Sequence, residues 1–137
     1  MSLTEKLQLT VDDLAILEDP QERLGAILDR AKRIPPLPTS ERLEETRVRG
    51  CVSVVWLVGE IRDGRCHFRA DAESPLVRGL MIFLCEFFSG APSAEIAATT
   101  LDPLAALDLT RNLSPTRRHG LASALATIRA FATTHSS

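Results

Sequence analysis

Residues 52–70 read VSVVWLVGEIRDGRCHFRA, and the fold class depends on this stretch. From Val52 to Ile61 it is rich in β-branched residues and includes Trp56, which suits a pleated strand. Asp63-Gly64 follows, and both residues tolerate positive φ, so the pair signals a tight hairpin. From Arg65 to Ala70 the chain alternates. Cys66, Phe68 and Ala70 point one way, and Arg65, His67 and Arg69 the other. Upstream, Thr46-Arg47-Val48 reads as a further short strand that ends at Gly50-Cys51. The middle of the chain therefore predicts a small antiparallel three-stranded sheet. On its longest strand Val52, Val54, Trp56 and Val58 share one face, while Ser53, Val55 and Leu57 share the other. With both faces apolar, the outer one is either covered by the N-terminal helix or left as a docking patch.

Helix signals lie on both sides of this sheet. Asp19-Pro20 precedes Leu24, Ile27 and Leu28 at helical spacing, with the Asp placed to cap free N–H groups and the Pro suited to the first turn. Ser74-Pro75 repeats the device before Leu76, Val77, Leu80, Met81, Leu84 and Phe88. Asp102-Pro103 opens a short Leu/Ala segment, and Ser114-Pro115 opens a last helix with Leu121, Leu125 and Ile128 on one face. The stretch Ile34-Pro35-Pro36-Leu37-Pro38 cannot be helix interior and reads as an extended connection. Nothing resembles a repeat or a dividing linker, so the expectation is one α+β domain over residues 1–137, a small sheet flanked by helices.

Composition narrows the function classes. The 137 residues are 45% hydrophobic and 25% charged, with a net charge of −2. That is the balance of a globular domain able to bury a core. It lacks the basic excess of a nucleic-acid binder, and the chain holds no apolar run of ~18 residues long enough to span a bilayer. The start, MSLTEKLQLT, does not read as a signal peptide. The cysteines stand at 51, 66 and 85. They form neither a disulfide framework nor a metal knuckle, which fits free thiols in the cytoplasm.

The three thiols sort by pattern. Cys66 lies on the apolar face of a strand, and Cys85 on the apolar side of a helix with Met81, Leu84 and Phe88. Both read as small buried hydrophobes. Cys51 follows a glycine at a junction, where the chain must turn and can present a side chain. A reactive thiol must be a thiolate, which a nearby positive charge favours. Arg47 and Arg49 are the local candidates. His67, His119 and His135 are not placed beside a nucleophile, no HExxH motif occurs, and neither GxxxxGK nor GxGxxG is present. A self-contained hydrolase is poorly supported. A lone nucleophile suits chemistry that another protein completes.

The segments RVRGCVSVVWLV, FRADAESPLVRGL and NLSPTRRHGLASAL resemble, in order and spacing, the SufE-type sulfur-acceptor family from about Pro20 to the last helix. The resemblance implies an α+β fold shared with iron–sulfur scaffold proteins. It also implies an activity: taking persulfide sulfur from a PLP-dependent cysteine desulfurase and passing it to a scaffold or other acceptor. The PLP would belong to the partner, and this chain would bind no cofactor or metal of its own. The family's acceptor cysteine follows the glycine of its GC motif and so matches Cys51. The arginine of the LSPTR block matches Arg117, and the acidic residue of the ADAES block falls at Asp71 or Glu73. The resemblance implies that these order the Cys51 loop, although the residues alone fit a charge pair at a helix start equally well. If the apolar outer β-face is left open, it would dock the desulfurase, another partner or a second copy of the chain, which would act as a monomer or homodimer. An iron–sulfur scaffold or bridging module is the alternative reading, but it needs convergent exposed ligands.

Overall fold

A computed structural model describes residues 1–51 and 53–136. The elements run α1 (Leu3–Leu14), α2 (Pro20–Ala31), two 3-10 turns (Thr39–Glu41 and Glu44–Thr46), β1 (Val55–Arg62), β2 (Arg65–Ala72), α3 (Pro75–Phe88), α4 (Ser93–Ala98), α5 (Pro103–Ala106) and α6 (Pro115–Thr134).

The capping devices act as the sequence predicts. The Asp19 carboxylate accepts from the Gln21 N–H, and Ser74 accepts from the Val77 N–H. Asp102 accepts from Leu104 and Ala105, and Ser114 accepts from Arg117. A proline follows each cap, where its missing N–H costs nothing. At the hairpin tip Asp63 has φ 53° and Gly64 φ 75°, the pair of positive values that matches a two-residue turn to the right-handed twist of its strands.

β1 and β2 pair antiparallel without a break from Val55↔Ala72 to Arg62↔Arg65. Directly paired residues share a face. Val55 and Leu57 therefore join Cys66, Phe68, Ala70 and Ala72 on the inner face, and all six are buried. That face packs on α3, from which Leu80, Met81, Leu84 and Phe88 enter the core with at most traces of exposed surface. Ile128 and Ala124 of α6 and Ile96 of α4 close it from the other side.

Two expectations need correction. Among the described residues the sheet has two strands, not three. The segment 46–48 contributes one bridge, Arg47↔Trp56, with the Val48 N–H donating to the Val55 carbonyl at 2.9 Å. Thr46 is occupied in closing a 3-10 turn, its hydroxyl donating to the Glu41 carbonyl at 2.7 Å. Gly50 then turns away at φ 83°, so too few residues remain for a ladder. β1 also starts at Val55 rather than Val52, a residue that lies outside those described. The second correction concerns the outer face. α1 does not cover it. Leu3, Leu7, Val11 and Leu14 of α1 pack into the helical side of the core, and Lys6 donates its amine to the Glu86 carbonyl of α3 at 2.9 Å. The half-buried Trp56 is instead capped by the Arg42 guanidinium, 5.6 Å from its ring centre, a cation–π contact.

Candidate functional site: a half-buried thiol on a loop

The loop between Val48 and β1 carries Cys51. Both ends of the loop are pinned, one by the Val48 N–H and the other by the Glu73 N–H, which donates to the Val54 carbonyl at 3.2 Å. Between them the chain lies on the first turns of α6. The turn at Gly50 uses a φ that L side chains rarely adopt. A Cβ there would also meet Ser123 Oγ at 2.7 Å. Under the thiol sits Gly120, where a Cβ would approach Cys51 Sγ to 2.8 Å. The absent side chain at 120 makes the seat for the sulfur.

The Cys51 S–H donates to the Gly120 carbonyl at 3.2 Å. Ser53, Val77, Thr116, Arg117 and Leu121 complete the surrounding cleft, which has a free volume of only about 10 Å3. Burial pushes the Cys51 thiol above its ordinary pKa, and the charge of Arg47 pulls it partly back. In this conformation the sulfur is half-shielded and hydrogen-bonded in a narrow cleft, and burial disfavours its thiolate.

The other two thiols are in the core. Cys66 has no exposed surface and lies 3.4 Å from Ser93 Oγ. Burial pushes Cys85 up to about 12. Neither shares the Cys51 cleft. The remaining sequence candidates separate as follows. Arg117 lines the cleft from α6. Arg49 does not turn to the thiol; it stands in solvent paired with Glu44 at 3.3 Å, and Arg47 is the guanidinium whose charge reaches Cys51. Glu73 serves the loop through its backbone N–H.

The Asp71 carboxylate faces away from the loop and orders the proline-rich connection. It accepts from the Leu37 N–H at 3.0 Å, from Arg42 at 3.1 Å and from Arg78 at 2.9 Å. Arg78 in turn donates to the carbonyls of Ala31 and Ile34. Burial acts to raise the Asp71 pKa, but hydrogen bonds from the Ala72 and Leu37 N–H groups and from Arg78 outweigh it and hold the carboxyl below its usual range. Sequence reasoning missed Arg42, Arg78 and Gly120. For Gly120 a signal existed, because a glycine inside a helix costs ~1 kcal/mol against alanine and usually has a packing reason. Nothing local marks the two arginines.

The chain is thus an α+β domain that seats one half-buried thiol on a loop over a helix glycine, with its other two cysteines in the core. The chain belongs to the SufE family: the model of the SufE Fe-S metabolism associated domain matches residues 8–132. It is 34% identical over 128 residues to an uncharacterized SufE-like protein of Rhizobium etli, covering 90% of this chain and 86% of that one. It is 33% identical over 124 residues to SufE-like protein 1, chloroplastic/mitochondrial, of Arabidopsis thaliana, covering 90% of this chain and 33% of that longer protein. A hypothetical protein of Thermus thermophilus shares the fold, with a TM-score of 0.75 at 21% identity and 95% of each chain covered.

Proposed function

We propose that this protein accepts sulfane sulfur on Cys51 from the persulfide of a PLP-dependent cysteine desulfurase and hands it on for iron–sulfur cluster assembly. The observation that carries the reading is the separation of the thiols: one half-exposed cysteine on a loop, two sealed in the core. Membership of a family tied to Fe-S metabolism supports it. The exchange is a displacement at sulfur. The Cys51 thiolate attacks the terminal sulfur of the donor persulfide. A new S–S bond forms on Cys51, the donor's S–S bond breaks, and the donor cysteine leaves as a thiolate. Oxidation state is conserved overall, so no metal or redox cofactor is needed in this chain.

The seated thiol is poorly set for that step. Burial disfavours its thiolate, and the cleft around it is narrow. Docking of the desulfurase therefore has to lift Cys51 from Gly120, which removes the burial that raises its pKa and leaves Arg47 and Arg117 as nearby positive charge. The core positions of Cys66 and Cys85 weigh against the scaffold alternative, since a cluster needs several thiolates brought together.

Incubation with a matching desulfurase, PLP and cysteine, followed by intact mass measurement, tests the reading. The expected result is a gain of one sulfur atom, lost on reduction, mapped to Cys51 and absent in Cys51→Ser. An unmodified Cys51 beside a demonstrably active, matching desulfurase would overturn it.

A further inference from the structure

A cavity of about 380 Å3 lies between β2, the second half of α3 and the proline-rich connection 34–38. It shares no lining residue with the Cys51 cleft. Its size falls within the range of about 300–1,000 Å3 typical of small-molecule sites. Phe68, Ala70, Ile82 and Cys85 make apolar walls, and Arg69 and Glu86 stand among its lining residues.

Two backbone groups of one lining residue, Ala70, stand on this side of β2 without a partner among the described residues. Along β2, alternate residues turn their N–H and C=O away from β1. Cys66 does so, pairing with Ala91 and Gly90. Phe68 does so too, its N–H donating to Ser89 Oγ at 2.9 Å and its carbonyl accepting from that hydroxyl. The unbroken register gives Ala70 the same orientation. Yet among the described residues no backbone or side-chain group bonds the outward N–H or C=O of Ala70. The residue is only 6% exposed, and a buried peptide group without a partner is costly. The connection opposite has little to donate, because three of its five residues are prolines and the Leu37 N–H is taken by Asp71.

The charges are already compensated. Arg69 is held by Glu41 and Glu60, and Glu86 by Arg30. An ionic ligand would find no free counter-charge on these residues and would lose its hydration. We propose that this cavity binds a small neutral molecule with an apolar body and one carboxamide-like edge, which pairs with the N–H and C=O of Ala70.

Benzamide is the probe, followed by amide chemical shifts of the full chain. Saturable shifts centred on Phe68, Ala70, Ile82 and Cys85 are expected. Benzoate, of the same shape but charged and able to meet only the N–H, should bind about tenfold more weakly, the loss of roughly one good hydrogen bond, and toluene, which meets neither group, more weakly still. Ile82→Phe should fill the space and abolish the response. The three-probe comparison on the unaltered protein stands whether or not that variant folds. Absence of saturable shifts would mean that water alone satisfies Ala70 and would overturn the proposal. So would equal binding of toluene, or shifts centred away from the residues that line this cavity.

Discussion

Cys51 sits under two opposed influences, burial that disfavours its thiolate and the Arg47 charge that favours it, and burial is the larger. In the isolated protein its alkylation by iodoacetamide at pH 7 should be slower than that of a free cysteine and should rise with pH into the alkaline range. It should still run ahead of Cys66 and Cys85, as peptide mass mapping would show. Arg47→Ala should slow it further and Arg49→Ala should leave it nearly unchanged, because Arg49 is spent on Glu44 in solvent. Equal effects of the two variants would contradict this assignment. Gly120→Ala has the opposite sign. A Cβ at 2.8 Å from the sulfur, with the Cys51 backbone at an ordinary 3.8 Å, must turn the thiol out of its seat, so the variant should raise Cys51 alkylation several-fold while the circular dichroism of the helices is unchanged.

At the scale of elements, Asp71 joins pieces distant in sequence: the proline-rich connection through Leu37, the turn region through Arg42, and α3 through Arg78. Its folded-state pKa is depressed, so its contribution is present above the unfolded carboxyl value near ~3.9 and is lost as pH falls through the folded value. Urea midpoints should therefore drop as pH is lowered below about 4. Asp71→Asn should be less stable than the parent at pH 7 and should show a smaller drop on acidification. The start of α6 offers a local counterpart. Ser114→Ala removes a cap on the Arg117 N–H and should cost about 1 kcal/mol. Because this end of α6 seats the Cys51 loop, the variant should also speed Cys51 alkylation, which loss of a cap elsewhere, such as at Asp102, would not do.

For the molecule as a whole, one core joins the inner sheet face to α3, α4 and α6, so unfolding should be a single cooperative transition. Ile128 has no exposed surface. Ile128→Ala should cost about 2–5 kcal/mol, lowering the urea midpoint without changing the slope of the transition. Two separated transitions would show that α6 unfolds independently of the sheet. The helices that complete the core also frame the two recesses. α3 contributes Val77 to the Cys51 cleft and Ile82 and Cys85 to the cavity beside the proline-rich connection, so both lie against the same rigid element.

The sequence by itself determined whatever depends on near neighbours. The four caps with their prolines, the Asp63-Gly64 hairpin, the alternation that buries Cys66 and Phe68, and the sorting of Cys51 from the other two thiols rest on local stereochemistry and on periodicity. The family was legible from short blocks because their spacing is itself local information. Tertiary structure decided what requires distant segments to meet. The third strand shrank to one bridge because a 3-10 turn and the Gly50 turn consume its residues. Trp56 is capped by Arg42 rather than by α1 because Asp71 draws that arginine over the sheet. The thiol at 51 is held above its ordinary pKa because α6, some seventy residues away in sequence, helps to bury it. Burial, and the pKa shifts that follow from it, belong to no single stretch of chain. They are properties of the packed whole.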